Sequence, residues 1–139
     1  MSSPMNDWNQ QTIEEFRAND GRVGGHFAGA PLLLLHTVGA RTGHERINQV
    51  MYHDLGDGRV AVFASKAGAP THPDWYHNLV ARPEVFAEIG TETRQFRART
   101  ASASERGPIW EKQKQDFPGF AGYEAKTDRE IPVVILEPV

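Results

Sequence analysis

The sequence predicts a mainly β fold with some helix, an α+β chain whose strands close into a small, mostly antiparallel barrel with helices at its periphery. Three observations carry that expectation. About six runs have the length and the β-branched and aromatic content of strands, against three stretches patterned as helices. Glycine-bearing tight turns join neighbouring strands, at Gly39 to Gly43 and at Gly56-Asp57-Gly58, as antiparallel hairpins require. The helices do not alternate one for one with the strands, which disfavours a doubly wound parallel sheet.

Along the chain, residues 7–19 set Trp8, Thr12, Ile13 and Phe16 on one helical face against Gln10, Glu14, Glu15 and Arg17. The polar face carries little basic charge, so this helix is expected to pack on the core; weak membrane association is the other reading. Four glycines make 21–30 a flexible connection, with His26 and Phe27 as a pocket wall. The chain thus divides into an N-terminal helix and connection, 1–28, and a barrel domain, 29–139.

Leu32 to Leu35 run into Thr37 and Val38 as a buried strand, which turns at Gly39 and Gly43 into a second strand at 47–55. A third, 59–65, alternates Val60, Val62 and Ala64 with Ala61 and Phe63, completing a meander. A loop at 66–73 leads to a short helix, 74–81, stopped by Arg82-Pro83. Strands follow at 85–89 and 94–100. Ser102 and Glu105 have the spacing of a capping box, opening a helix to about residue 116 with Pro108 in its first turn or restarting it. Residues 117–123 read as an aromatic connector before a last strand at 131–136.

Composition narrows the chemistry. The 139 residues fit one domain with a real core, and 39% hydrophobic with 24% charged residues is ordinary for a soluble protein. A net charge of -3 argues against nucleic acid as a partner, while leaving room for a local anion site. Without cysteine there is no disulfide, thiolate nucleophile or Cys-ligated metal, which suits a reducing compartment. No apolar run reaches membrane-spanning or signal-peptide form, so a cytoplasmic location is expected. The six histidines show no i, i+4 pair, and no metal site is expected. No Walker, Rossmann or Gly-x-Ser-x-Gly pattern occurs.

What remains is cations, small residues and aromatics. Arg41 and Arg46 flank a turn whose glycines let backbone N–H groups converge, a concavity suited to phosphate or carboxylate. The alternative is a plain hairpin with solvated arginines. In Ala64-Ser65-Lys66-Ala67-Gly68, small residues would let a flat ring lie against the backbone, and the meander would bring Lys66 beside the two arginines. An ordinary strand-to-loop transition is the competing reading. Trp75 and Asn78 share a helix, where Trp75 either walls an aromatic ligand or packs in the core. Such furnishing suits an anionic, ring-bearing cofactor that supplies the chemistry itself.

Five motifs in order carry a resemblance: Leu-Leu-Leu-Leu-x-Thr-x-Gly-x-Arg-Thr-Gly-x-x-Arg (32–46), Ala-Ser-Lys-Ala-Gly (64–68), Pro-x-Trp-Tyr-x-Asn-Leu (73–79), Glu-Arg-x-x-x-Trp (105–110) and Thr-Asp-Arg-Glu-Ile-Pro-Val (127–133). Together they resemble the deazaflavin-dependent nitroreductase family of actinobacterial split β-barrel oxidoreductases, whose fold is FMN-binding split-barrel-like. The resemblance implies an enzyme that binds coenzyme F420 and passes hydride from the reduced deazaflavin to a quinone or nitro compound. It further implies that Arg41, Thr42 and Arg46 hold the phosphate-bearing tail, and that Ala64, Ser65, Lys66, Ala67 and Gly68 lie beside phosphate and deazaflavin. Trp75 and Asn78 would sit near the ring. For the acceptor side, Tyr123 is the candidate hydrogen-bond donor to the reduced acceptor; the alternative is that it only fills a gap under the last helix. Ala40 stands where relatives often carry another cation, and Phe117 and Phe120 stand where they have tyrosines, which argues against nitroimidazoles as acceptors. An F420 carrier without turnover and an FMN-using split-barrel enzyme are the alternatives. A barrel with one open side exposes strand edges, and a homodimer is expected from that.

Overall fold

The computed structural model describes residue 11 and residues 13–18 and 31–139. Six strands, β1 (Leu32–Val38), β2 (Glu45–Asp54), β3 (Val60–Phe63), β4 (Glu84–Ile89), β5 (Glu92–Thr100) and β6 (Val133–Pro138), form one closed barrel in the order β1-β2-β3-β6-β5-β4. Every pairing is antiparallel. The first three strands form the expected meander, and β1 closes the barrel against β4 through Leu34, Leu35 and His36. Closure pairs every strand on both sides, so the exposed-edge argument for a homodimer falls away.

The run of four leucines is explained by two burials rather than one. Leu33 and Leu35 point into the barrel with Val60, Val62, Phe96 and Leu136. Leu32 and Leu34, on the other face, pack against Ile13 and Phe16 of the helical stretch 13–18, here α1. A strand covered on both faces reads as a continuous apolar run instead of an alternating one. The same division holds in β3, where Val60 and Val62 face inward while Ala61 and Phe63 meet an outer cluster. The sequence-expected Trp8 and Thr12 of the N-terminal helix, and His26 and Phe27 of the connection, lie outside the described residues.

Three further helices complete the fold: α2 (Asp74–Ala81), α3 (Ala103–Asp116) and α4 (Gly119–Lys126). From α2, Trp75 and Leu79 join the barrel core. The capping box opens α3 as expected, with Glu105 N–H donating to Ser102 Oγ and Ser102 N–H donating to Glu105. Pro108 lies neither in the first turn nor at a restart: it is six residues past the N-cap of a continuous helix. Its missing N–H leaves the Ser104 carbonyl without an intrahelical donor, at an exposed position where water can replace it.

The stretch read as an aromatic connector is helical instead, as α4. Its glycines and short length hide it from pattern reading, and Phe120 stabilises it by packing into the outer cluster with Trp110, Phe63 and Ile131. Rings of Phe120 and Phe63 meet edge-on with centroids 5.6 Å apart. Helices α3 and α4 therefore cover the outer face of β3 and β6, the side from which the loop after β3 emerges.

Candidate functional site

The turn between β1 and β2 is held by its own backbone. Gly39 N–H donates to the His44 carbonyl at 2.8 Å and Gly43 N–H to the Gly39 carbonyl at 2.9 Å, while His44 N–H donates to Thr42 Oγ1 at 3.2 Å. Gly43 requires its φ of +71°. The N–H groups of Gly39, Gly43 and His44 are thus spent within the hairpin and do not themselves point at a ligand.

Asn78 fastens the hairpin to α2. Its Oδ1 accepts from Ala40 N–H at 3.0 Å, and its Nδ2 donates to Thr37 Oγ1 at 3.2 Å. Thr37 and Asn78 are both buried, so the amide satisfies a hydroxyl that water cannot reach.

Beyond β3, a 3-10 turn at Lys66–Gly68 reverses the chain, closed by Gly68 N–H donating to the Ser65 carbonyl and Ala69 N–H to the Lys66 carbonyl. Lys66 takes a φ of +47°, a left-handed conformation that costs a non-glycine residue about 1–2 kcal/mol. Three constraints impose it. The turn hydrogen bonds are the first, and Gly68 packing against α4 is the second: a Cβ there would come within 2.9 Å of the Tyr123 carbonyl. The third is Arg129. Its Nε donates to the Ala69 carbonyl (3.0 Å), Nη1 to the Ala64 carbonyl (3.2 Å) and Nη2 to the Ser65 carbonyl (2.9 Å). Nη1 also lies 2.9 Å from His72 Nδ1.

Burial lowers the Arg129 pKa, and the group remains a cation. His72 is pushed below the usual histidine value, first by burial and then by the charges of Arg129 and His77.

Between hairpin, post-β3 loop, α2 and Ile13 of α1 opens one cleft of about 1130 Å³. Arg41, Arg46 and Lys66 all line it. None of the three forms an ion pair among the described residues. Among the described residues Lys66 Nζ donates to Thr71 Oγ1, at 3.3 Å. Two carboxylates, Glu45 and Asp74, share the wall, and Glu45 lies 3.5 Å from His36 Nδ1. Among the described lining residues, three cations against two carboxylates, with Asn78, Thr42 and His72 beside them, suit a polar anionic molecule. Among the described residues no cluster of His, Asp or Glu has the arrangement of a metal site.

The profile of the F420H(2)-dependent quinone reductase family matches residues 8–138. The chain belongs to this family. It is similar to an F420H(2)-dependent quinone reductase of Mycobacterium tuberculosis, 37% identical over 127 residues that cover 87% of this chain and 83% of that protein. A solved structure of an F420-H2 dependent reductase, FDR-A, superposes with a TM-score of 0.70 at 37% identity, over 82% of this chain and all of the other. A second, described as a domain-swapped dimer, gives a TM-score of 0.72 at 36% identity over 97% of this chain and 100% of its own.

Of the residues that the family resemblance singled out, the cleft gathers Arg41, Thr42, Arg46, Lys66 and Asn78. Ala64, Ser65, Gly68, Trp75 and Tyr123 are not among its lining residues. Ala64 and Trp75 belong to the barrel core, so for Trp75 core packing prevails over the wall of a ring site. Ser65 is buried, and its carbonyl serves Arg129 and Gly68. Gly68 is a packing glycine against α4. The side chain of Ala67 lies outside the described residues. Tyr123 packs edge-on against Phe120, centroids 5.2 Å apart, in the outer cluster and not on the cleft wall.

Sequence reasoning missed Thr71, His72 and Arg129. Arg129 stood inside a motif already quoted, but its target, three carbonyls some sixty residues earlier, leaves no local trace.

Proposed function

We propose that this chain is an oxidoreductase that binds coenzyme F420 in the cleft and reduces a quinone, with electron-poor nitro compounds as a second class of acceptor. The observation that carries this reading is the meeting on one cleft of three cations without an ion pair among the described residues, Arg41, Arg46 and Lys66, in a member of this family. When bound, the reduced coenzyme supplies the hydride. The protein's part is placement: the cations hold the anionic tail, Asn78 keeps the hairpin at the correct distance from α2, and Arg129 keeps Lys66 in its left-handed turn. Neither a carrier without turnover nor an FMN enzyme is favoured by any feature of the cleft.

A reducing compartment suits a chain without cysteine, and we place the protein in the cytoplasm on that ground. Among the described residues no helix is long and apolar enough to cross a membrane. A homodimer finds support in the relative described as a domain-swapped dimer.

The test is oxidation of reduced F420 by the purified protein with menadione, followed by the return of deazaflavin absorbance, beside titrations with oxidised F420 and with FMN. Enzyme-dependent oxidation and preference for F420 are expected. Tighter binding of FMN, or F420 binding without any turnover across several quinones, would overturn the proposal.

A further inference from the structure

We infer that His72 donates a hydrogen bond from Nε2 to an anionic oxygen of the cofactor bound in the cleft, and that Arg129 is the positioning residue that fixes its tautomer. The inference rests on the F420 reading and adds a residue to it.

The geometry leaves the imidazole little choice. A guanidinium has donors and no acceptor, so at 2.9 Å from Arg129 Nη1 the His72 Nδ1 must carry a lone pair. The ring proton therefore sits on Nε2. Rotation of Arg129 to escape this constraint would break its bonds to the carbonyls of Ala64, Ser65 and Ala69. A proton on Nδ1 would set two donors against each other, and an imidazolium would stand beside a guanidinium.

The groups facing His72 reinforce this. Arg129 approaches from the segment before β6. From α2 come Tyr76, ring centroid 4.9 Å away, and His77 at 5.8 Å. Asp74 lines the same cleft, as the only carboxylate that α2 contributes to it. Burial and the two neighbouring cationic or titratable groups, Arg129 and His77, hold the ring in its neutral form.

Nε2 has no partner among the described residues and is not among the buried unpaired atoms. Since His72 lines the cleft, that donor is offered to whatever occupies it. The neighbour Thr71 accepts from Lys66 Nζ, so hydroxyl, ammonium and imidazole N–H share one corner. A neutral N–H donor beside a lysine adds a hydrogen bond without adding cation repulsion, which suits a phosphate or carboxylate oxygen. This is why we assign the bond to the cofactor tail rather than to the quinone.

The test has two parts. Nitrogen-15 NMR of the free protein reads the tautomer directly: a protonated Nε2 and an unprotonated Nδ1 are expected for His72 at neutral pH, and the reverse pattern or an imidazolium would overturn the inference. Oxidised F420 is then titrated into wild type, His72→Ala and His72→Gln, each checked for folding by circular dichroism. His72→Ala should bind about tenfold or more weakly, the lower end for a hydrogen bond to a charged group, and His72→Gln should regain part of that through its amide. The same loss should appear in the KM for reduced F420. Equal affinity in wild type and His72→Ala, or a loss confined to quinone turnover, would overturn the inference while leaving the F420 reading intact. A wild type that does not bind F420 would remove both.

Discussion

Replacing Asn78 with alanine tests whether one buried amide holds the hairpin to the barrel. The variant loses two hydrogen bonds, from Ala40 N–H at 3.0 Å and to Thr37 Oγ1 at 3.2 Å. The two losses differ in cost. Ala40 is exposed, so water can take its N–H. Thr37 is 2% exposed, and its hydroxyl would be left without that donor in a site that water does not reach. With the small cavity left by the amide, the loss of stability should be about 2–3 kcal/mol. For a domain of this size that is a fall in Tm of roughly 6–15 °C.

Urea unfolding followed by tryptophan fluorescence gives the first number. A double-mutant cycle with Thr37→Val gives the second, which should show a coupling of about 1 kcal/mol because valine removes the hydroxyl that the alanine variant strands. Asn78→Asp keeps an acceptor for Ala40 and another that the Thr37 hydroxyl can donate to, and should cost less than alanine. A change below about 0.5 kcal/mol in Asn78→Ala, or full additivity in the cycle, would refute the reasoning.

Other expected outcomes follow from single features. Arg46→Ala should weaken F420 binding by about 1.5–3 kcal/mol and flatten its salt dependence, as seen by titration at several ionic strengths; unchanged affinity would place the anionic tail elsewhere. Tyr123→Phe should leave quinone turnover within about twofold, because the ring packs on Phe120 away from the cleft; a large loss of kcat at saturating coenzyme would bring the phenol into the reaction. The Glu105 carboxyl is pulled down to about 2 by hydrogen bonds from Arg99 and from the Ser102 backbone. A carboxyl depressed on folding adds stability above its ordinary value of 4.5 that disappears as pH falls toward 2. Acid unfolding curves should accordingly converge for wild type and Glu105→Gln at the low end of that window; curves that stay parallel throughout would exclude the linkage. Pro108→Ala should raise stability by roughly 1–3 kcal/mol by restoring the N–H to Ser104, and a lower Tm would show that the ring packs usefully.

Much of the fold is local enough to be read from the sequence. The alternation in β3, the glycine turns, the Ser102 to Glu105 box and the Pro83 stop each act within a few residues, and each appears in the structure where the pattern placed it. Legibility ends where an element is stabilised by distant partners. Residues 119–126 have weak helical pattern of their own and become α4 because Phe120 finds Phe63, Trp110 and Ile131.

The cleft shows the same boundary. Its charge was legible, since Arg41, Arg46 and Lys66 lie at the ends of adjacent meander strands whatever the remaining topology does. Which side each neighbouring residue faces was not. A single sequence marks Trp75 and Tyr123 as aromatic; only barrel closure sends Trp75 inward to meet Leu79 and Phe96, and only the docking of α4 turns Tyr123 toward Phe120. Arg129 is the extreme case, because a side chain that organises carbonyls from Ala64 to Ala69 interacts with main-chain atoms, which every residue type possesses and no sequence pattern distinguishes. Composition, turns and charge placement were thus decided residue by residue, while the orientation of the aromatics and the locking of the loop were decided by packing between segments far apart in the chain.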